Sequence, residues 1–160
     1  MSAFAVALGA ALLLAAVPDT HRSPETNYML HCQGCHRPDG SGVPGAVPDL
    51  RGQVAVFLGS PAGRAFLVRV PGSANAPLSD RELAELLVWT VRRFDPAHVP
   101  ANFAPYTADE VGPLRAQKLS KVKAERAAIL AELNAGSRAA SPPRESPPPG
   151  AAGAPARRSP

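Results

Sequence analysis

Aromatic side chains are scarce in this chain, at 5% of 160 residues, with one Trp and two Tyr. A core made only of its own side chains would be thin, so something must supplement it: a cofactor, a partner, or acceptance that part of the chain stays unfolded. The length excludes a large multidomain enzyme and fits one domain of ordinary size, or a small one with extensions. No internal repeat, phosphate-binding loop or catalytic triad is found. No long one-signed charge field covers the middle of the chain either. Residues 19–106 carry eight basic and eight acidic side chains, and the net +4 comes from 107–160, with nine basic and five acidic. A surface that follows a phosphate backbone would place basic residues on the folded domain, interleaved with aromatics. That pattern is missing, which argues against a nucleic-acid partner.

What is present at the two ends differs from what lies between. Residues 3–17 form an uncharged Ala- and Leu-rich run closed by Pro18 and Asp19. It is shorter than the roughly 20 residues of a membrane span and suits the apolar part of a secretory signal. No Lys or Arg precedes it, and its end offers no good small-x-small cleavage site. We therefore expect residues 1–18 to be a signal peptide or an N-terminal anchor, the one route to membrane association. At the other end, 134–160 is almost wholly Ala, Pro, Ser, Gly and Arg, with seven prolines among the 19 of the chain. Such a stretch buries too little to offset its ordering entropy, and a disordered tail is expected. Between domain and tail, 106–133 reads as a separate helical extension, with Pro113 in its first turn and Gly136 beyond its end. Leu119, Val122, Ile129 and Leu133 form a narrow apolar stripe interrupted by Arg126, which more often covers a core than pairs with a partner.

Both cysteines fall within five residues, Cys32-Gln33-Gly34-Cys35-His36. This Cys-x-x-Cys-His spacing is the pattern of covalent c-type haem attachment. Two thiols on one helical turn reach the two vinyl groups along one porphyrin edge. The histidine that follows is carried beneath the iron as its proximal ligand. The alternatives are weaker. A thiol redox pair would be expected beside a βαβ pattern, and none is visible. A structural zinc site needs four ligands that four adjacent residues do not readily close around a metal. A plain disulfide is compatible with export. Covalent haem also answers the first difficulty, because the porphyrin provides the apolar core that the side chains lack.

The surroundings resemble a class I cytochrome c over roughly residues 23–94. Ser23-Pro24-Glu25 is an N-cap, a first-turn proline and an acid, so a helix should run into the Cys motif. Ser79-Asp80-Arg81-Glu82 is a capping box ahead of Leu83, Leu86, Leu87, Trp89 and Val91 at helical spacing, closed by Arg92-Arg93. The resemblance implies that these two helices cross, with Tyr28 against Trp89, and that a shorter helix from Ser60-Pro61 to Val70 turns Phe66, Leu67 and Val70 to the haem. It also implies that the Pro48 carbonyl accepts the His36 N–H, that Leu50 packs on the ring, and that Arg51 either pairs with a haem propionate or is a solvated surface charge. The expected fold is all-α, a small class I cytochrome c fold wrapped around one covalent haem, with an extra C-terminal helix and a disordered tail. The domain occupies 19–105.

One departure from the family pattern bears on function. The loop 70–78 holds no axial methionine, and the chain has only Met1 and Met29. The sixth iron position is left to Asn75, to His98, to water, or to nothing. His31 is expected on the outer side of the motif, and His21 precedes the domain. The sequence therefore points to an exported, periplasmic or extracytoplasmic carrier of single electrons between redox partners such as a dehydrogenase and an oxidase, and not to an enzyme. The alternative is a haem protein with an open distal site that binds small ligands or peroxide.

Overall fold

Helix starts in this chain are written in its hydroxyl side chains. The computed structural model describes residues 21–140; the run at 3–17 and the tail beyond 140 lie outside the described residues. Ser23 accepts from the Thr26 N–H and opens α1 (Pro24–His31), and Ser60 accepts from Gly63 to open α3 (Pro61–Arg69). Ser79 and Glu82 complete a reciprocal capping box at α5 (Asp80–Phe94), satisfying two otherwise orphaned donors. Thr107 caps α6 (Ala108–Arg115) through Glu110. Two single-turn helices, α2 (Gln33–His36) and α4 (Pro71–Ala74), sit in the connections, and α7 (Val122–Ala140) closes the described chain. Short 3-10 helices cover Ala55–Gly59 and Pro96–His98. No strand is found among the described residues, where the one extended pairing is a bridge between Val43 and Val47. No helix among them is long and apolar enough to cross a membrane.

The centre of the fold is the crossing of α1 with α5. Tyr28 is 2% exposed, with its ring 5.3 Å from Trp89 and 5.0 Å from Phe94 between centroids. The expected Tyr28–Trp89 contact is thus present. The amphipathic face of α5 buries Leu83, Leu86, Leu87, Val91 and Phe94. Where α5 ends, Asp95 is fully buried and its Oδ2 accepts from the Ala55 N–H at 2.8 Å, while Oδ1 accepts from His98 Nδ1 at 2.5 Å. This carboxylate joins the end of α5 to the 3-10 helix across forty residues of chain. Asp95→Ala should leave the buried Ala55 N–H without an acceptor and destabilise the holoprotein by about 2 kcal/mol. Urea unfolding measures this, and a loss under about 0.5 kcal/mol would contradict the role assigned to the bond.

Two expectations for the C-terminal third need correction. The extension at 106–133 is two helices, not one, and Pro113 lies inside α6 instead of in its first turn. The start is set by Thr107, whose hydroxyl offers a side-chain acceptor that proline cannot. The link between α6 and α7 is held by a long-range bond, Leu119 N–H to the Arg69 carbonyl at 3.1 Å. The helix does not stop before Gly136, since α7 runs to Ala140 through the first seven residues of the expected disordered tail. That piece is rich in alanine, the best helix former, and Arg138 bonds back to the Asn134 carbonyl at 3.3 Å. The extension also packs against the domain: Tyr106, Val111, Leu119 and Ile129 are buried in one cluster with Tyr28 and Leu86. Arg64 of α3 grips Glu110 of α6 with Nε and a terminal nitrogen, and its guanidinium lies 4.0 Å from the centre of the Tyr106 ring.

Candidate functional site

The cysteine motif is a single helical turn set at an angle to α1. Cys32 leaves helical geometry at φ −123°, and its carbonyl then accepts from both Cys35 N (3.1 Å) and His36 N (2.9 Å). Cys32, Cys35 and His36 are thereby gathered on one turn. The thiols are free; Cys35 is exposed and Cys32 half-buried. Burial, reinforced by Cys35, pushes the Cys32 thiol up to about 11. Arg37 ends the turn at φ +58° and ψ 166°, a backbone conformation that L-residues rarely hold. The Tyr28 hydroxyl donates to its carbonyl at 2.7 Å, so the core residue of the helix crossing also fixes the exit from the motif.

His36 is oriented by the loop that follows. Its Nδ1 lies 3.1 Å from the Pro48 carbonyl oxygen. A carbonyl can only accept, so Nδ1 carries the proton and Nε2 keeps its lone pair for a metal. Burial lowers the imidazole's affinity for a second proton, and the Pro48 bond offsets this only in part. The ring is therefore neutral at neutral pH, the form that ligates iron.

Pro48 is itself held by a close approach at Gly42. That residue has φ +65°, and a Cβ there would sit 2.5 Å from the Pro48 and Val47 carbonyl oxygens. Gly45 has a similar φ of +77° but open space around it. Both alanine variants should lose about 1–2 kcal/mol for the left-handed backbone. Only Gly42→Ala should also displace the Pro48 carbonyl and with it the imidazole. The difference would be read in the unfolding free energy and in the His36 ring-proton shifts of the holoprotein. Equal behaviour of the two variants would show that Gly42 does not set the Pro48 position.

Beside this turn opens an apolar cleft to which nearly every element contributes. Its walls include Tyr28 and Cys32, then Pro48 and Leu50, Phe57, Phe66 and Leu67, and Leu83, Leu86 and Leu87 of α5. Val70, Gly72, Ser73 and Ala76 come from the loop expected to face the iron's far side. Of the residues expected at such a surface, Cys32, His36, Pro48, Leu50, Phe66, Leu67 and Val70 line it, whereas Cys35 lies on the exposed side of the motif turn and does not. The site fits a porphyrin on its own chemistry. It offers the Cys32 thiol at one end, with exposed Cys35 on the same turn just outside the lining, a neutral imidazole with a fixed tautomer, and a mostly apolar wall elsewhere.

Other expected residues lie apart from the cleft. His98 is bonded to Asp95, His21 lies 2.6 Å from Glu85, and neither lines the cleft. Asn75 is exposed at the end of α4, and Met29 is 51% exposed on the outer side of α1. Arg51 does not line the cleft either. It is engaged by Asp49 at 2.7 Å and Asp39 at 3.1 Å, so of its two readings the structure favours the surface charge. What the sequence reading missed is Arg126. It seemed to interrupt an apolar stripe, yet it reaches the cleft from α7, together with Gln53.

No family model matches the chain. Two curated relatives do, both cytochrome c-552 of Thermus thermophilus. Each is 37% identical along an alignment 115 positions long, and the match covers 59% of this chain and 88% and 78% of the respective relative.

Proposed function

Because the chain belongs to the cytochrome c family and is a cytochrome c-type electron carrier, we propose that it is a monohaem carrier in which Cys32 and Cys35 form the thioethers and His36 is the proximal iron ligand. The observation that carries this reading is the pairing of His36 Nδ1 with the Pro48 carbonyl at the wall of an apolar cleft, within one turn of both thiols. Bound there, haem c supplies one-electron exchange between ferrous and ferric iron. The chain's own residues hold and shield it. The thioethers prevent dissociation, Pro48 keeps the imidazole in one tautomer, and Leu50, Phe66, Leu67 and the α5 leucines exclude water. Exclusion of water keeps reorganisation small and adjusts the potential through the local dielectric. Cys35 is exposed, so the thioether edge is where a redox partner reaches the cofactor. A dehydrogenase on the donor side and an oxidase on the acceptor side suit an exported carrier, and export rests on the apolar run at 3–17.

A second reading is favoured by one feature, the wall formed by the loop opposite. Gly72, Ser73 and Ala76 line it, and among the described residues of the cleft His36 supplies the one imidazole and no methionine contributes a thioether. A haem held by His36 alone would bind small ligands at its far side.

Absorption spectra of the oxidised and reduced protein, expressed with haem-attachment machinery in a periplasm, test both readings. Covalent haem with low-spin bands in both states supports the carrier. A high-spin ferric spectrum that shifts with cyanide supports the open site. Absence of haem from a competent host would sink both.

A further inference from the structure

Arg126 is a cation at the edge of an apolar cleft with no anion to meet it. Among the described residues lining the cleft it is the one guanidinium, and its side chain is half-buried. One terminal nitrogen donates to Gln53 Oε1 at 3.2 Å, and the guanidinium carbon lies 5.7 Å from the centre of the Phe57 ring. None of the ion pairs among the described residues involves it. The nearby charges are committed elsewhere. Asp49, the carboxylate in the cleft wall, is taken by Arg51. On α3, which packs against α7, Arg64 holds Glu110 and Arg69 donates to the Gln117 carbonyl at 2.8 Å. The 3-10 helix Ala55–Gly59, also packed on α7, carries no charge. On α7 itself the flanking Lys123 and Glu125 are exposed.

A haem carries two carboxylates on the edge away from its thioether bonds. A carboxylate that enters an apolar cleft requires a counter-charge and donors, and arginine's planar fork meets a carboxylate with two N–H groups at once. Gln53 already presents its amide oxygen to Arg126, which leaves its NH2 group as a further donor beside the guanidinium. We propose that Arg126, with Gln53, receives a haem propionate, so that the C-terminal helix α7 is part of the cofactor site. This rests on the haem-binding reading above. It gives the interruption in the apolar stripe a purpose, and it takes the propionate role from Arg51.

The test is the midpoint potential of the holoprotein between roughly pH 5 and 9, compared for wild type, Arg126→Gln and Arg126→Lys. Loss of the cation should lower the potential, because ferric iron is then less disfavoured. It should also bring the propionate into titration near neutrality, so that the potential of Arg126→Gln falls with rising pH where the wild-type curve is flat. Arg126→Lys should restore most of the flat profile, which a merely structural role would not predict. Superimposable curves for wild type and Arg126→Gln would overturn the proposal. So would a variant that loses anion affinity at the iron while keeping the wild-type curve, since the guanidinium would then face the iron. Should Arg126→Gln yield no holoprotein, Gln53→Met decides, with a smaller change of the same sign expected and a wild-type curve overturning the assignment. A wild-type protein without haem would instead refute the functional reading itself.

Discussion

Replacing both motif thiols, Cys32→Ala with Cys35→Ala, is expected to give a protein that releases all of its haem on acid denaturation and has lost most of its stability. The cleft wall is made of the same side chains that make the core. Phe57, Phe66, Leu67, Leu83, Leu86 and Leu87 belong to both. With a porphyrin bonded to the chain, as proposed, these surfaces would be permanently covered. Without the bonds they are covered only as far as free haem concentration allows. A loss of roughly 5 kcal/mol or more is expected, comparable with the whole stability of a small domain. Mass spectrometry of the denatured chain reads attachment, and thermal unfolding reads stability. A double variant that unfolds within a few degrees of wild type would show that the helices are self-sufficient, and would refute the idea that the cofactor completes the core.

The second large effect is expected at Arg115, the last residue of α6. Its guanidinium donates to the Leu78 carbonyl at 2.7 Å, the Ala76 carbonyl at 2.6 Å and the Ala74 carbonyl at 3.3 Å, and it pairs with Asp80 at 3.0 Å. The side chain is 17% exposed, so these bonds are largely sheltered from competing water. One residue of the extension thus holds the backbone between α4 and α5, the stretch facing the far side of the proposed iron. Arg115→Met should leave three carbonyls short of a donor and cost about 3 kcal/mol. Arg115→Lys should recover only part, because a point charge cannot serve three divergent acceptors as a fork does. Amide exchange in residues 72–78 should accelerate in both variants more than exchange in α1. Uniform acceleration across the protein would mean that Arg115 stabilises the fold in general and does not pin this loop.

How far the sequence was legible follows from the range of each interaction. The caps at Ser23, Ser60 and Ser79 act within three residues, so they could be read directly. The Tyr28–Trp89 contact spans the chain but belongs to a pair of helices whose crossing the family resemblance implies. Pro48 came from the same source. The break between α6 and α7 depends on a bond from residue 119 to residue 69, and helical periodicity contains no trace of it. The roles of Arg115 and Arg126 were hidden for a related reason. Arg126 within an apolar stripe reads locally as a fault in the stripe, and Arg115 near the end of a charged helix carries no local signal, whereas their acceptors lie 73 residues away for Arg126 and 37 to 41 away for the Arg115 carbonyls. The helical stretch 134–140 was misread because composition was averaged over a tail whose first seven residues contain no proline.

Because α7 supplies Val122 and Arg126 to the cleft, the wall nearest the C-terminus is also the last to be synthesised. Chains emerge N-terminus first, so the turn holding Cys32 and Cys35 leaves the ribosome well before the helix that covers one side of its cleft. The order of manufacture therefore leaves the thiols approachable for chemistry while the site is still unwalled. The closing helix would arrive as a late cover over thiols already open to the proposed haem attachment.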